Sequence, residues 1–97
     1  MPLKNVRADV TSNTVYNGGR AVRVRPAGAK LANVLCKADG AAVPMETLHR
    51  VLWPDAPFPR ETNTLSVTVW KLRNTVNKIG LRVMNHWGEG YSMGQHP

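Results

Sequence analysis

The chain is organised around one amphipathic segment, residues 62–78, whose apolar positions recur with the period of an α-helix. The apolar stripe falls at i, i+4, i+7 and i+11 and consists of Leu65, Val69, Leu72 and Val76. At about 100° per residue, the opposite face collects amides, lysines, a valine and a tryptophan. The members of this outer face are Asn63, Val67, Trp70, Lys71, Asn74 and Lys78.

The outer face contains no acid, whereas an ordinary solvated helix face mixes Glu with Lys. Amides, cations and small apolar groups match the base edges, phosphates and thymine methyl groups that line the DNA major groove. The composition is therefore typical of a helix that contacts DNA. A solvated or protein-binding face is the alternative.

Upstream of this helix, two short alternating runs predict a β-hairpin over residues 14–25, with Asn17-Gly18 as a type I′ turn. Its valines point to the core in this pattern, and its arginines point to solvent. Residues 1–13 are compatible with either a short edge strand or a flexible basic start.

Proline and glycine positions divide the middle of the chain. They predict one helix over residues 26–38, ended by Gly40, and a second over residues 44–53. The next stretch, residues 54–61, has prolines at three of its eight positions and is predicted to be a stiff exposed loop.

After the long helix, the period of the pattern returns to two. Residues 81–86 alternate as a strand, residues 87–90 form a glycine turn, and residues 91–93 return as the last strand. Residues 94–97 are predicted to be a tail. We expect a single domain over residues 1–97, in which residues 1–13 and 94–97 are the candidates for flexible ends.

The net charge of +7 favours a polyanionic partner, with nucleic acid ahead of an acidic membrane surface. Residues 1–30 carry a net charge of +5, residues 31–60 are neutral and residues 61–97 carry +2. No run approaches the roughly 18 apolar residues of a spanning helix, and no export signal opens the chain. A single cysteine, Cys36, fits a reducing compartment. We expect a cytoplasmic, nucleoid-associated protein that does not bind membranes.

Motifs for catalysis are absent from the sequence. It has no glycine-rich phosphate loop, no His-Glu-x-x-His and no Cys-x-x-Cys. Its three histidines lie far apart, which gives a zinc site little support. We therefore expect no enzyme, no metal, no cofactor and no small-molecule ligand.

The run NTLSVTVWKLR of residues 63–73, followed by WGEGY of residues 87–91, resembles the DNA-binding domain of the OmpR/PhoB family of bacterial response regulators. That family has an apolar-x-apolar-x-apolar-x-x-Leu-Arg pattern on its recognition helix and Gly-x-Gly-Tyr at the base of its wing. The hairpin that leads into Pro26, and the Leu-x-x-x-x-Trp of residues 48–53, extend the resemblance to about residues 14–93.

The resemblance implies an α+β fold, a winged helix-turn-helix with N-terminal antiparallel strands, three helices and a C-terminal β-hairpin wing. Residues 62–78 would enter the major groove and residues 81–93 would lie on the adjacent minor groove or backbone, with copies bound to double-stranded DNA in tandem as a homodimer. Family members commonly contact DNA at the positions of Thr68, Trp70, Lys71 and Arg73. The other groove-facing and wing positions are Asn63, Thr64, Val67, Asn85 and Trp87.

The chain departs from the family in two respects. The family places Arg or Lys where this chain has Trp70, Asn74, Thr75 and Trp87, so we expect affinity to depend less steeply on salt. Trp87 would either pack along a sugar edge or cover the small core. The sequence also lacks a receiver domain, which predicts a free-standing regulator, as in a phage or mobile element, or one controlled by abundance or a partner.

The loop of residues 54–61 corresponds to the loop that meets RNA polymerase in activators of this family, which makes Asp55, Phe58 and Arg60 predicted protein contacts. Phe58 would either fold onto the core or anchor a partner. A second hypothesis is accordingly a protein-interaction module that targets RNA polymerase or a host regulator. A third is a weakly specific nucleoid-type DNA binder, which the charge of residues 1–30 favours.

Overall fold

Eight strands and helices, with one short 3₁₀ turn, form the part of the chain that the computed structural model describes, residues 3–56 and 63–95. Their order confirms the expected α+β winged helix-turn-helix. The elements are β1 (Val6–Asp9), β2 (Thr14–Asn17), β3 (Arg20–Arg23), α1 (Pro26–Lys37), α2 (Met45–Leu52), α3 (Asn63–Val76), the 3₁₀ turn (Asn77–Ile79), β4 (Leu81–His86) and β5 (Gly90–Gln95).

The N-terminal strands form an antiparallel sheet in the order β1-β2-β3. Val15 on the central strand is fully buried, with Ala8 opposite it on β1 and Val22 opposite it on β3. Of the two alternatives for residues 1–13, the structure therefore has the edge strand.

The turn of the first hairpin lies one residue later than predicted. Asn17 pairs with Arg20, so Gly18 and Gly19 form the turn. Gly18 has a φ of 61° and Gly19 has no positive φ, which is the pattern of a type II′ turn and not of the predicted type I′ turn. Asn17 remains in the strand because its buried side chain donates a hydrogen bond to the carbonyl of Ile79, at 2.5 Å.

Helix α1 begins at Pro26 as predicted and ends at Lys37. The chain leaves it through Asp39, whose φ is 54°, before it reaches Gly40 with a φ of 95°. The left-handed exit therefore starts one residue earlier than the glycine cap that the sequence predicted. The helix buries Gly28, Ala29, Leu31, Ala32 and Leu35.

Helix α2 follows Pro44 and buries Leu48 and Leu52, as its apolar pattern predicted. It also buries His49, which the pattern did not predict. The imidazole ring packs against the indole of Trp53, with ring centroids 5.0 Å apart, so an aromatic neighbour replaces the solvent around it.

Helix α3 and the 3₁₀ turn together cover the predicted long helix, with the regular part ending at Val76. Residue 62, the predicted start, lies outside the described residues. Gly80 ends the element with a φ of 80°, and its N–H donates to the carbonyl of Asn77 at 3.2 Å. The predicted stripe is the buried face, since Leu65, Val69, Leu72 and Val76 all expose 2% or less of their surface.

Strands β4 and β5 form the C-terminal hairpin, which we call the wing. They pair antiparallel from Leu81 opposite Gln95 to His86 opposite Gly90. Residues 94–95 therefore belong to a strand, and the prediction of a tail was wrong for them. The strand extends this far because the backbone of β4 and the backbone of Lys4 offer partners that a local pattern does not reveal.

The base of the wing is fastened to the segment between α1 and α2. Val43 and Tyr91 exchange two backbone hydrogen bonds, of 2.7 and 3.0 Å, which adds a short bridge to β5. Gly90 lies beside this bridge with a φ of 135°, and a Cβ there would lie 1.8 Å from the carbonyl oxygen of Val43. A side chain at this position is therefore incompatible with the bridge.

One glutamine joins the two ends of the described chain. The side-chain amide of Gln95 donates to the carbonyl of Lys4 and to Oδ1 of Asn17, and its oxygen accepts from the N–H of Lys4, all within 2.8 Å. Because Asn17 in turn donates to Ile79, the N-terminal sheet, the 3₁₀ turn after α3 and the wing share one hydrogen-bond network. Within residues 3–56 and 63–95, no helix has both the length and the apolar character needed to cross a membrane.

Candidate nucleic-acid interface

The burial of its apolar stripe determines which residues α3 presents to solvent. Val67 is 50% exposed and Trp70 is 58% exposed, so neither belongs to the core. Lys71, Asn74 and Lys78 are exposed as well. The structure thus brings these predicted site residues together on the outer face, where residues 63–79 contribute no acidic side chain.

The threonines on the flank of α3 use their hydroxyl groups within the helix. Thr68 donates to the carbonyl of Thr64, and Thr75 donates to the carbonyl of Lys71, each at 2.9 Å. Such bonds compete with solvent and ligand for the hydroxyl hydrogen. Thr64 is exposed and Thr68 is half-buried. The side chain of Asn63 is not among those that the structure describes.

Arg73 differs from the other predicted site residues. Its Nε donates to the carbonyl oxygen of Val83 on β4, at 2.9 Å, and the side chain is half-buried. The guanidinium group therefore holds α3 against the wing, and the structure does not bring it to the outer face with Lys71. The spacing of the helix alone gave no sign of this contact.

The tip of the wing is a three-residue turn that carries an exposed indole. Trp87 is 92% exposed, which makes the alternative that it covers the core wrong. Gly88 beside it has a φ of 76°, which glycine tolerates best, and Asn85 at the end of β4 is exposed. Below the tip, Nε2 of His86 lies 2.6 Å from the buried hydroxyl of Ser92, which stiffens the hairpin.

A groove of about 540 Å³ separates the start of α1 from the flank of α3. It brings Arg25 near Lys71 and Thr75, with Val24 and Gly28 on its apolar side. The sequence pattern pointed the arginines of the hairpin to solvent, and did not show that Arg25 adds a second cation beside α3. Arg23 and Arg25 are two positions apart and so share one side of an extended chain, and this spacing was the signal in the sequence that indicated a basic surface there.

The electrostatic surroundings favour an anionic ligand. Lys71 and Lys78 have no acidic partner within the described residues. The carboxylate of Asp9 accepts a hydrogen bond from the N–H of Thr11, which lowers the pKa of Asp9 and engages its carboxylate within its own turn.

Burial raises the pKa of the Cys36 thiol to about 11, so this cysteine is a weak nucleophile at neutral pH.

The predicted protein-contact loop is described only in part. Asp55 is exposed. Phe58 and Arg60 lie outside the described residues.

Comparison with known proteins gives the family. A family model described as transcriptional regulatory protein, C terminal, matches residues 19–93, which is most of the chain. The chain belongs to this family. The resemblance to OmpR/PhoB-type effector domains is thereby confirmed, and membership assigns the chain to the DNA-binding domains of transcription regulators.

Individual relatives agree with this assignment. The regulatory protein VanR of Enterococcus faecium is 25% identical over 88 residues, which cover 88% of this chain and 38% of VanR. The DNA-binding domain of the response regulator AdeR, solved in complex with an intercistronic region, superposes with a TM-score of 0.73 and 21% identity, covering 97% of this chain and 96% of that one. The Klebsiella pneumoniae RstA DNA-binding domain, solved in complex with RstA box, gives a TM-score of 0.75 with 16% identity over 99% and 97%.

Proposed function

We propose that the chain binds double-stranded DNA as a sequence-preferring transcription regulator, with α3 in the major groove. The observation that carries the proposal is the outer face of α3. It combines two cations without an acidic partner, exposed amides and apolar groups, and the buried stripe leaves it free to face a ligand. The AdeR and RstA domains, whose fold this chain shares, were each solved with a DNA element, which supports the same use here.

Within this arrangement the residues have distinct roles. Lys71 and Lys78 neutralise phosphates, because an ammonium group acts as a point charge. Asn74 is suited to adenine, whose N6 and N7 pair with a side-chain amide. Arg73 positions α3 against the wing through Val83, and reaches DNA only with the nitrogens that this bond leaves free.

The wing extends the contact to the adjacent minor groove or backbone. Trp87 offers an apolar surface that packs against deoxyribose, and Asn85 offers an amide beside it. Because the tip carries Trp87 and Glu89 instead of a cation, this contact adds little to the release of counterions.

Assembly on DNA follows from the same proposal. Tandem copies on direct repeats would place one domain beside the next, as a homodimer that forms on the DNA. The exposed Asp55 belongs to the loop that faces RNA polymerase in activators, so polymerase is the protein partner we propose.

A second candidate function is a module that binds RNA polymerase or a host regulator through the winged-helix surface. The observation that favours it is the exposure of two tryptophans, Trp70 at 58% and Trp87 at 92%, since aromatic side chains anchor protein interfaces. A nuclease-treated pull-down separates the two functions, because only the second requires a stoichiometric protein partner without nucleic acid.

The direct experiment for the first function is a mobility shift with random-pool duplexes over a salt series. We expect binding at low salt, enrichment of one sequence motif, and an affinity that falls as salt rises. Equal affinity for unrelated duplexes would indicate a nucleoid-type binder instead. Failure to bind any duplex at low salt would refute the proposal.

A further inference from the structure

Two apolar side chains lie next to each other on the outer face of α3 without a covering group in the described part of the chain. Val67 and Trp70 are three positions apart, which places them on one side of the helix. The core does not need them, because the stripe that includes Leu65 and Val69 is complete beneath them. Their exposure therefore has to be explained by what the outer face contacts.

The half-buried threonines beside this patch offer no hydroxyl donor. The hydroxyl hydrogens of Thr68 and Thr75 are donated within the helix, so neither threonine has a donor left for a base edge. No carboxylate is present from residue 63 to residue 79, and a carboxylate is the group that accepts from N4 of cytosine. What remains on the face are the lysine cations and Asn74, an amide suited to adenine, beside apolar carbon.

We infer that the outer face of α3 selects A·T pairs by packing Val67 and Trp70 against the C5-methyl groups of thymines in the major groove. The inference rests on the proposed function and names the base chemistry that the site takes. Contact with the C5-methyl group is the means by which apolar carbon distinguishes thymine from cytosine. Lys71 and Lys78 are seven positions apart and so lie on one side of the helix, C-terminal to the patch. As cations without acidic partners, they fit a phosphate backbone at that end of the patch.

The test starts from a duplex selected from a random pool and replaces its thymines by deoxyuridine, one position at a time. This change removes one methyl group and keeps every hydrogen-bonding edge of the base. We expect at least one position at which the dissociation constant rises about fourfold, which corresponds to the loss of one methyl-sized apolar contact.

Two variants assign that loss to side chains. Val67→Ala should bind the thymine and deoxyuridine duplexes equally at one sensitive position, because the variant has no apolar contact left to lose there. Trp70→Ala should do the same at a neighbouring position. The control is Val10→Ala, since Val10 is 47% exposed but lies in the turn after β1, and this variant should retain the full difference. Thermal unfolding of all three should match the wild type, because none of these side chains is buried.

The outcomes distinguish a failure of the thymine-methyl inference from a failure of the proposed DNA-binding function. Equal affinity for thymine and deoxyuridine at every position would overturn the inference and leave the DNA-binding function intact. A difference that both Val67→Ala and Trp70→Ala retain would also overturn it, because another side chain would then contact the methyl group. If no duplex is selected or bound, the proposed function and the inference fail together.

Discussion

The N-terminal sheet and the wing are both antiparallel β units, yet they present different chemistry to solvent. The sheet exposes guanidinium groups, among them Arg23 and an Arg7 whose charge lies 4.1 Å above the ring of Tyr16. The wing exposes the indole of Trp87 on a turn without a cation. The solvent side of the sheet is thus cationic, whereas the tip of the wing is apolar.

This difference gives the N-terminal sheet and the wing different tasks in the function we propose. Cations attract any duplex, because phosphates carry no sequence information. Apolar groups and amides discriminate between bases only at short range, so they belong on α3 and the wing. The two units nevertheless act as one body, because the network through Asn17 and Gln95 joins the sheet to the wing.

The largest expected effect comes from breaking the base of the wing. In Gly90→Ala the new Cβ would lie 1.8 Å from the carbonyl oxygen of Val43, at a φ of 135°. We expect a loss in the free energy of unfolding on the order of 3 kcal/mol or more, measured by urea denaturation. Gly19→Ala is the control, since no atom lies within 4 Å of its Cβ position and its φ is not positive. A loss below about 1 kcal/mol for Gly90→Ala would contradict this account of the wing base.

The next effect tests the link between the two units. Asn17→Ala removes the donor to Ile79 and leaves the amide of Gln95 with one acceptor fewer. We expect a loss of about 2 kcal/mol in the free energy of unfolding, because a buried carbonyl loses its partner. Asn77→Ala, which changes an exposed amide, should stay within about 0.5 kcal/mol of the wild type. A double-mutant cycle of Asn17→Ala with Gln95→Ala should show less than additive losses, and full additivity would mean that the two amides are independent.

A smaller effect separates apolar contact from charge. Trp87→Ala should weaken binding to the selected duplex about fivefold through lost apolar packing, with the slope of affinity against salt unchanged. Arg23→Ala should weaken binding less and lower the steepness of that slope, because it removes a cation. Mobility shifts at four salt concentrations would measure both quantities. The comparison fails if Trp87→Ala changes the slope as much as Arg23→Ala does.

A further prediction concerns the packing of α1 beneath the sheet. Burial raises the pKa of Cys36 from an ordinary 9.0 to about 11, so its thiolate fraction near pH 8 should be about 100-fold lower in the folded chain than in urea. We expect alkylation to slow by a similar factor. Because the folded state favours the neutral thiol, the associated stability is complete below pH 9 and is lost as the pH rises through about 11. Equal alkylation rates in the two states would show that α1 leaves the thiol open to solvent.

Local periodicity was sufficient to predict the helices and strands, but not the hydrogen bonds that join them. The stripe of α3 and the proline that starts α1 are properties of neighbouring residues, and both were predicted correctly. Asn17 was placed in a turn because Asn-Gly is a turn signal, yet a carbonyl 62 positions away retains it in the strand.

The same limit applies to the candidate site. The 3.6-residue period placed Val67, Trp70 and Asn74 on one face, and the structure has them there. It did not show that Arg73 bonds to Val83, nor that Arg25 lies near Lys71 across a groove. Both facts depend on how α3 packs against other elements, which no single stretch of sequence encodes.

The central claim is that the outer face of α3 binds DNA. It is tested most directly by the dissociation constant of Lys71→Ala for the selected duplex, with Lys37→Ala as the matched control at the exposed end of α1. We predict about a tenfold weaker complex and a salt slope smaller by about one for Lys71→Ala, with values near those of the wild type for Lys37→Ala. Equal affinities and equal slopes for the two variants would contradict the claim.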